Sequence, residues 1–152
     1  MIVLPKDQYE WHTLASFLQR AGVQPSPDLR VIGWVSENRL AIVVGLNGFL
    51  GSLAQIHMAY APDWHFTPRA LLGEVFRYAF TQEKREMLIG VVNSKNTKAL
   101  RMDLHLGFKE LYRLPGMHDD GGDLVLLGMT KDNCRYLGDR WRRGEQDAKT
   151  VH

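Results

Sequence analysis

Apolar side chains recur at Trp11, Leu14, Ala15, Leu18 and Ala21, three or four positions apart, and the stripe stops at Gly22. That period predicts a helix over residues 8 to 21, opened by Asp7 with Glu10 three residues later in a capping-box spacing. The loop Gln24-Pro25-Ser26-Pro27-Asp28 leads into three runs rich in β-branched and aromatic residues: Val31 to Ser36, Arg39 to Leu46 and Phe49 to Ala59. Glu37-Asn38 and Asn47-Gly48 separate these runs and suit tight hairpin turns, so three antiparallel strands are expected. The helical period then returns in Leu71, Leu72, Val75, Phe76, Ala79 and Phe80. Thr67 is the expected N-cap of this second helix and Pro68 its first residue.

Met87 to Val92 is apolar without alternation, as expected of a central strand covered on both faces. A third helix is expected from about Asn96 to Leu106, with Gly107 as its left-handed cap. Phe108 to Leu114 and Asp123 to Thr130 read as two further strands, joined by a Gly-rich, acidic loop over residues 115–122. Residues 138–152 are polar and expected to be a partly disordered tail, with Trp141 as its anchor.

Composition narrows the classes. With 45% hydrophobic and 24% charged residues, the 152-residue chain can bury one core, and neither a repeat nor a second domain is evident. Nineteen Lys and Arg against seventeen Asp and Glu leave a formal +2, which argues against a nucleic-acid partner or an anionic membrane surface. The apolar start is broken at once by Pro5, Lys6 and Asp7, and no apolar run approaches a membrane span, so a cytoplasmic protein is expected. Cys134 is the single cysteine, which excludes an internal disulfide and a multi-cysteine zinc site and leaves it a packing role.

The order helix, three strands, helix, strand, helix, two strands, with Asn96-Thr97-Lys98-Ala99 and the closing Gly107-Phe108, resembles the GNAT superfamily of N-acetyltransferases over residues 1 to 137. More narrowly, Trp64-His65-Phe66-Thr67-Pro68-Arg69-Ala70-Leu71-Leu72 and the ending at residues 126–137 look like small phage-encoded acetyltransferases. The resemblance implies a three-layer α+β fold, with a mixed, mostly antiparallel central sheet flanked by helices. It implies acetyl-CoA as co-substrate, an amine of a protein or small molecule as acceptor, and no metal. The strands over residues 53–59 and 87–92 would then splay apart to admit pantetheine. The diphosphate would sit on the amides of Phe66, Thr67, Pro68, Arg69, Ala70, Leu71 and Leu72, where a helix start favours an anion. The family's Gly-x-Gly is missing from this loop, and Arg69 offers a cation instead.

Acetyl transfer needs a neutral amine, a stabilised oxyanion and a proton for the leaving thiolate. Strand alternation puts Gln55 and His57 on one face, and His57 is the first candidate for the base; a hydrogen-bonded histidine on a half-buried sheet is the alternative. A backbone N–H near Met58 is the expected oxyanion donor. Where the family carries a tyrosine acid this chain has Asp103, which leaves a water, Tyr112 or no dedicated acid. Asn93 and Asn96 can bond pantetheine or cap the helix. His118, Asp119, Asp120 and Asp123 read as a solvated turn bordering the acceptor site rather than a metal site. A catalytically weak GNAT-like binding or assembly module is the competing reading, a nucleic-acid protein using the basic tail a third, and a homodimer is left open.

Overall fold

The computed structural model describes residues 1–138, Trp141 and the Thr150–Val151 strand. After β1 (Ile2–Val3), α1 spans Gln8–Arg20. Asp7 caps α1 by accepting the Glu10 amide at 2.8 Å, while Glu10 reaches back to the Lys6 amide, one residue short of a capping box. Leu14, Ala15 and Leu18 form its buried face.

The strands β2 (Arg30–Ser36), β3 (Arg39–Leu50) and β4 (Leu53–Tyr60) make the expected antiparallel meander. Glu37 and Asn38 turn the first hairpin with positive φ. Asn47-Gly48, expected as the second turn, is instead a bulge inside β3, and the chain reverses at Gly51. The bulge survives because Asp28, from the preceding loop, accepts the Phe49 amide at 3.2 Å.

After the two-residue β5 (Thr67–Pro68), α2 runs Arg69–Arg77 and widens into a single π turn, Tyr78–Gln82. Its N-cap is Pro68 rather than Thr67, whose hydroxyl is taken by the Tyr60 hydroxyl at 2.7 Å. Then follow β6 (Met87–Asn93), α3 (Thr97–Leu106), β7 (Lys109–Leu114) and β8 (Leu124–Thr130). Asn96 caps α3 through the Ala99 amide at 3.1 Å, and Gly107 closes it at φ 115°, both as expected. Backbone Thr150–Val151 (β9) pairs with β5. The expected disorder of residues 139, 140, 142–149 and 152 lies outside the described residues.

The result is one mixed, mostly antiparallel sheet of seven strands in the order β1-β2-β3-β4-β6-β8-β7, with helices on both faces. A smaller core (Leu14, Leu18, Val31, Val43, Ala59) joins α1 to the sheet. A larger one under α2 includes Phe76, Phe80 and Leu127, with Tyr136 and Trp141 closing it from the C-terminal side. Trp141 is 5% exposed, and its backbone lies against Gly73, where a Cβ would collide. The expectation that β6 is covered on both faces fails: Val91, Leu126 and Tyr112 stand in one cross-strand row, and Val91 and Tyr112 are 47% and 64% exposed. The physical reason is that α1 is spent on β2, β3 and β4.

Candidate active site

Strand β4 pairs with β6 in parallel over only three residues, Leu53–Gln55 against Met87–Ile89. Beyond that point β4 stays bonded to β3 as far as Tyr60, and β6 stays bonded to β8 as far as Asn93. Each strand is held by its outer neighbour while the sheet twists, so the two separate and leave backbone edges facing a gap. The gap is a cleft of about 450 Å³ lined by Ile56, His57, Met58 and by Gly90 to Asn93. Asn96, Ala99, Met102 and Asp103 of α3 close one side, and Ala21 to Val23 at the end of α1, with His118, close another. Adjacent residues of β4 point to opposite faces, so the cleft passes through the sheet and is open to both layers.

His57 sits on the α1 face of β4, and its Nε2 lies 2.7 Å from the side-chain oxygen of Asn47. Burial lowers its pKa, because the imidazolium loses hydration there. The ring is therefore neutral at physiological pH and can take a proton. Gln55 shares that face but stands opposite Asn47, before the strands separate, and does not line the cleft. Met58 does line it.

Asp103 also lines the cleft, and burial pushes its carboxyl up to about 6. Tyr112, weighed as an acid on sequence grounds, is on the edge strand β7, exposed and away from the cleft. Asn96 reaches the cleft while capping α3. Asn93 lines it too, but its amide donates to Asp120 at 2.7 Å, and Lys95 bonds the Asp120 carbonyl at 2.7 Å, so these residues fasten the acidic loop to the cleft rim. His118 accepts from the Asp120 amide at 3.2 Å within that loop. Among the described residues no group of three or more His, Cys, Asp or Glu side chains could hold a metal.

The segment Phe66 to Leu72 does not line the cleft. Ala70, Leu71 and Leu72 are buried, the Phe66 carbonyl accepts from the Trp64 indole at 2.7 Å, and the Arg69 guanidinium lies 4.7 Å over the Trp141 ring. With Pro68 as a cap that makes no side-chain bond, the first-turn amides of α2 have no partner within the helix. Asn47 was missed from sequence as part of the site, and Asp103 was noted only as standing in place of the family's tyrosine acid. Asn47 was hidden in a dipeptide that reads locally as a turn, and the raised pKa of Asp103 depends on burial that no local pattern reports.

No known family profile matches the chain, and no curated protein matches it. Among solved structures, the spermidine N-acetyltransferase of Vibrio cholerae in complex with CoA and spermine is similar at a TM-score of 0.68 and 14% identity, over 91% of this chain and 98% of that one. A candidate phosphinothricin N-acetyltransferase is similar at a TM-score of 0.65 and 19% identity, over 86% of this chain and 97% of that one. The fold is that of the GNAT N-acetyltransferases.

Proposed function

We propose that the chain is an acetyl-CoA-dependent N-acetyltransferase acting on a cationic primary amine. The observation that carries this reading is the cleft through the sheet at the point where β4 and β6 separate. A donor with a long, amide-bearing arm suits such a gap, because its amides replace the strand partners that the two edges lack. Bound there, acetyl-CoA supplies an activated acyl group. Met58, Asn93 and Asn96 border its arm. The α2 amides following Phe66, Thr67 and Pro68, at Arg69, Ala70 and Leu71, in the turn that Leu72 completes, meet its diphosphate beside the Arg69 cation.

His57 takes the proton from the incoming ammonium. The freed nitrogen then bonds the acyl carbon as the carbon–sulfur bond breaks, the proton held by His57 is released to solvent, and the nitrogen's second proton passes through water to the thiolate sulfur. Water is preferred over Asp103 for that last step, since a carboxyl near 6 is mostly ionised at neutral pH. The acceptor class rests on charge: among the described residues the titratable side chains lining the cleft are Asp103, His57 and His118, with no lysine or arginine. A buried carboxylate attracts a cation strongly. The Vibrio cholerae neighbour, solved with spermine, is consistent with such an acceptor.

A catalytically weak binding module is the second reading, favoured by the pairing of Thr150–Val151 on Thr67–Pro68 beside the proposed diphosphate site. Titrating acetyl-CoA calorimetrically, then following thiol release with polyamines, a neutral amine and an anionic amino acid, decides between them. No heat at millimolar acetyl-CoA eliminates the enzyme, binding without release leaves the module, and equal rates for cationic and anionic amines remove the acceptor class. The same reading includes a cytoplasmic location; among the described residues no helix is long and apolar enough to cross a membrane. It also includes a homodimer through the exposed Leu111, Tyr112 and Leu114 of β7. The narrower likeness to phage-encoded acetyltransferases rests on residues 64–72 and 126–137 alone.

A further inference from the structure

Four polar side chains from three segments form a continuous line that ends at His57. Ser26 Oγ lies 2.6 Å from Asp28 Oδ1, Asn47 Nδ2 lies 3.2 Å from Ser26 Oγ, and His57 Nε2 lies 2.7 Å from Asn47 Oδ1. They meet because the bulge in β3 and the loop carrying Pro25 and Pro27 are fastened together, with Asp28 Oδ2 accepting the Phe49 amide. Asn47 pairs across the strands with Gln55, which sets it diagonal to His57 on the same face.

We infer that Asp28, Ser26 and Asn47 act as positioning residues that hold His57 in the tautomer protonated at Nε2, so that Nδ1 is the proton acceptor facing the cleft. The direction of every bond follows from the first. An ionised carboxylate can only accept, so the single hydroxyl proton of Ser26 points to Asp28. Ser26 Oγ is then left to accept from Asn47, which turns the amide NH₂ toward Ser26 and the amide oxygen toward the imidazole. An oxygen there requires a hydrogen on Nε2. Asp28 is ionised because the Ser26 hydroxyl and the Phe49 and Gly48 amides hold its pKa below the usual value, against a partial opposing effect of burial.

The two ring nitrogens of an imidazole point away from each other. With Nε2 turned toward β3, Nδ1 is directed to the other side of β4, where β6 has separated and the cleft opens. Among the described residues Nδ1 has no hydrogen-bond partner. In the transfer the amine's proton goes to Nδ1, and the imidazolium keeps its Nε2–H bond to Asn47, so no side chain has to rotate during the step.

The catalytic part of this inference rests on the proposed acetyl transfer, whereas the tautomer does not, and the test separates them. Long-range nitrogen–proton correlation spectra of ¹⁵N-histidine-labelled protein above the imidazole pKa should show Nε2 protonated and Nδ1 bare. Asn47→Ala should give a mixture of tautomers and lower kcat roughly tenfold or more with little change in KM for acetyl-CoA. Asn47→Asp should restore the Nε2–H form and move the acidic limb of the rate profile to higher pH, since a carboxylate favours the imidazolium. Asp28→Asn frees the Ser26 proton to reverse the line and should raise the Nδ1–H population. A wild-type ring protonated at Nδ1, or an Asn47→Ala spectrum identical to wild type, overturns the inference. Loss of melting temperature without a change of tautomer does so as well. An Nε2–H ring in a protein that acetylates nothing keeps the positioning and removes the acetyl transfer.

Discussion

At His57 the cost of burying a positive charge keeps the imidazole neutral, and neutrality is what a proton acceptor needs. With the folded pKa below its ordinary 6.5, acetyl transfer that depends on His57 should be present above that value and fall as pH drops through the lowered one. His57→Ala should reduce kcat about 100-fold, erase that acidic limb and leave acetyl-CoA affinity nearly intact, because base catalysis is worth about that much. Asp103 and His118 share the cleft, so the limb must be compared with an Asp103→Asn profile before it is assigned. Asp103 itself gives an independent stability prediction. Its carboxyl rises from 3.8 to about 6 on folding, so the folded chain binds more protons between those values and loses stability as pH rises through them. Asp103→Asn should therefore raise the melting temperature by about 2–4 °C at pH 7.5, with the gain fading at pH 4. A gain that is the same at both pH values would show that the carboxylate's charge is not its cause.

Among the elements, the caps of α3 do two tasks, since Asn96 both starts the helix and borders the cleft while Gly107 ends it. A Cβ at Gly107 would meet only the Met129 methyl at 3.5 Å, so the demand there is conformational rather than spatial. Gly107→Val should cost about 1–2 kcal/mol in stability, read as a lower denaturation midpoint with unchanged slope, because a β-branched residue at φ 115° is strained. An unchanged midpoint would remove glycine's conformational freedom as the reason for its place. At α2 the test is binding. Arg69→Glu places a carboxylate at the first turn, where it suits the helix dipole but repels a diphosphate. Its melting temperature should fall only by what the lost contact with Trp141 is worth, while the acetyl-CoA dissociation constant rises about tenfold; an unchanged constant would move the diphosphate away from this helix. The bulge in β3 belongs to the same scale, since it turns a nominal hairpin dipeptide into the support of His57.

For the whole molecule, the sheet is held on each side of the gap by different neighbours, so a ligand that bridges β4 and β6 joins two halves of the sheet whose strands share three backbone-paired positions. Acetyl-CoA at about 100 times its dissociation constant should add about 2.7 kcal/mol and raise the melting temperature by roughly 5–10 °C, seen by calorimetry. No shift would mean that the gap does not take the donor. The elements were legible in the sequence because their causes are local: the spacing of Leu14 and Leu18 in α1, the stripe of α2, Asp7 and Asn96 as caps, and Gly107 as a stop all act within a few residues. His57 could be chosen as a candidate because alternation fixes which residues share a face. Local pattern went wrong at Asn47-Gly48 and at Thr67, where partners distant in sequence, Asp28 and Tyr60, took up groups that would otherwise have made a turn or a cap. Tertiary structure alone decided the site: where β4 leaves β6, that Asp103 is buried enough to hold its proton up to about 6, and that residues 26, 28, 47 and 57 form one hydrogen-bonded line. Contacts between separate segments depend on how strands twist and helices pack, and those forces act across space without leaving a period in the chain.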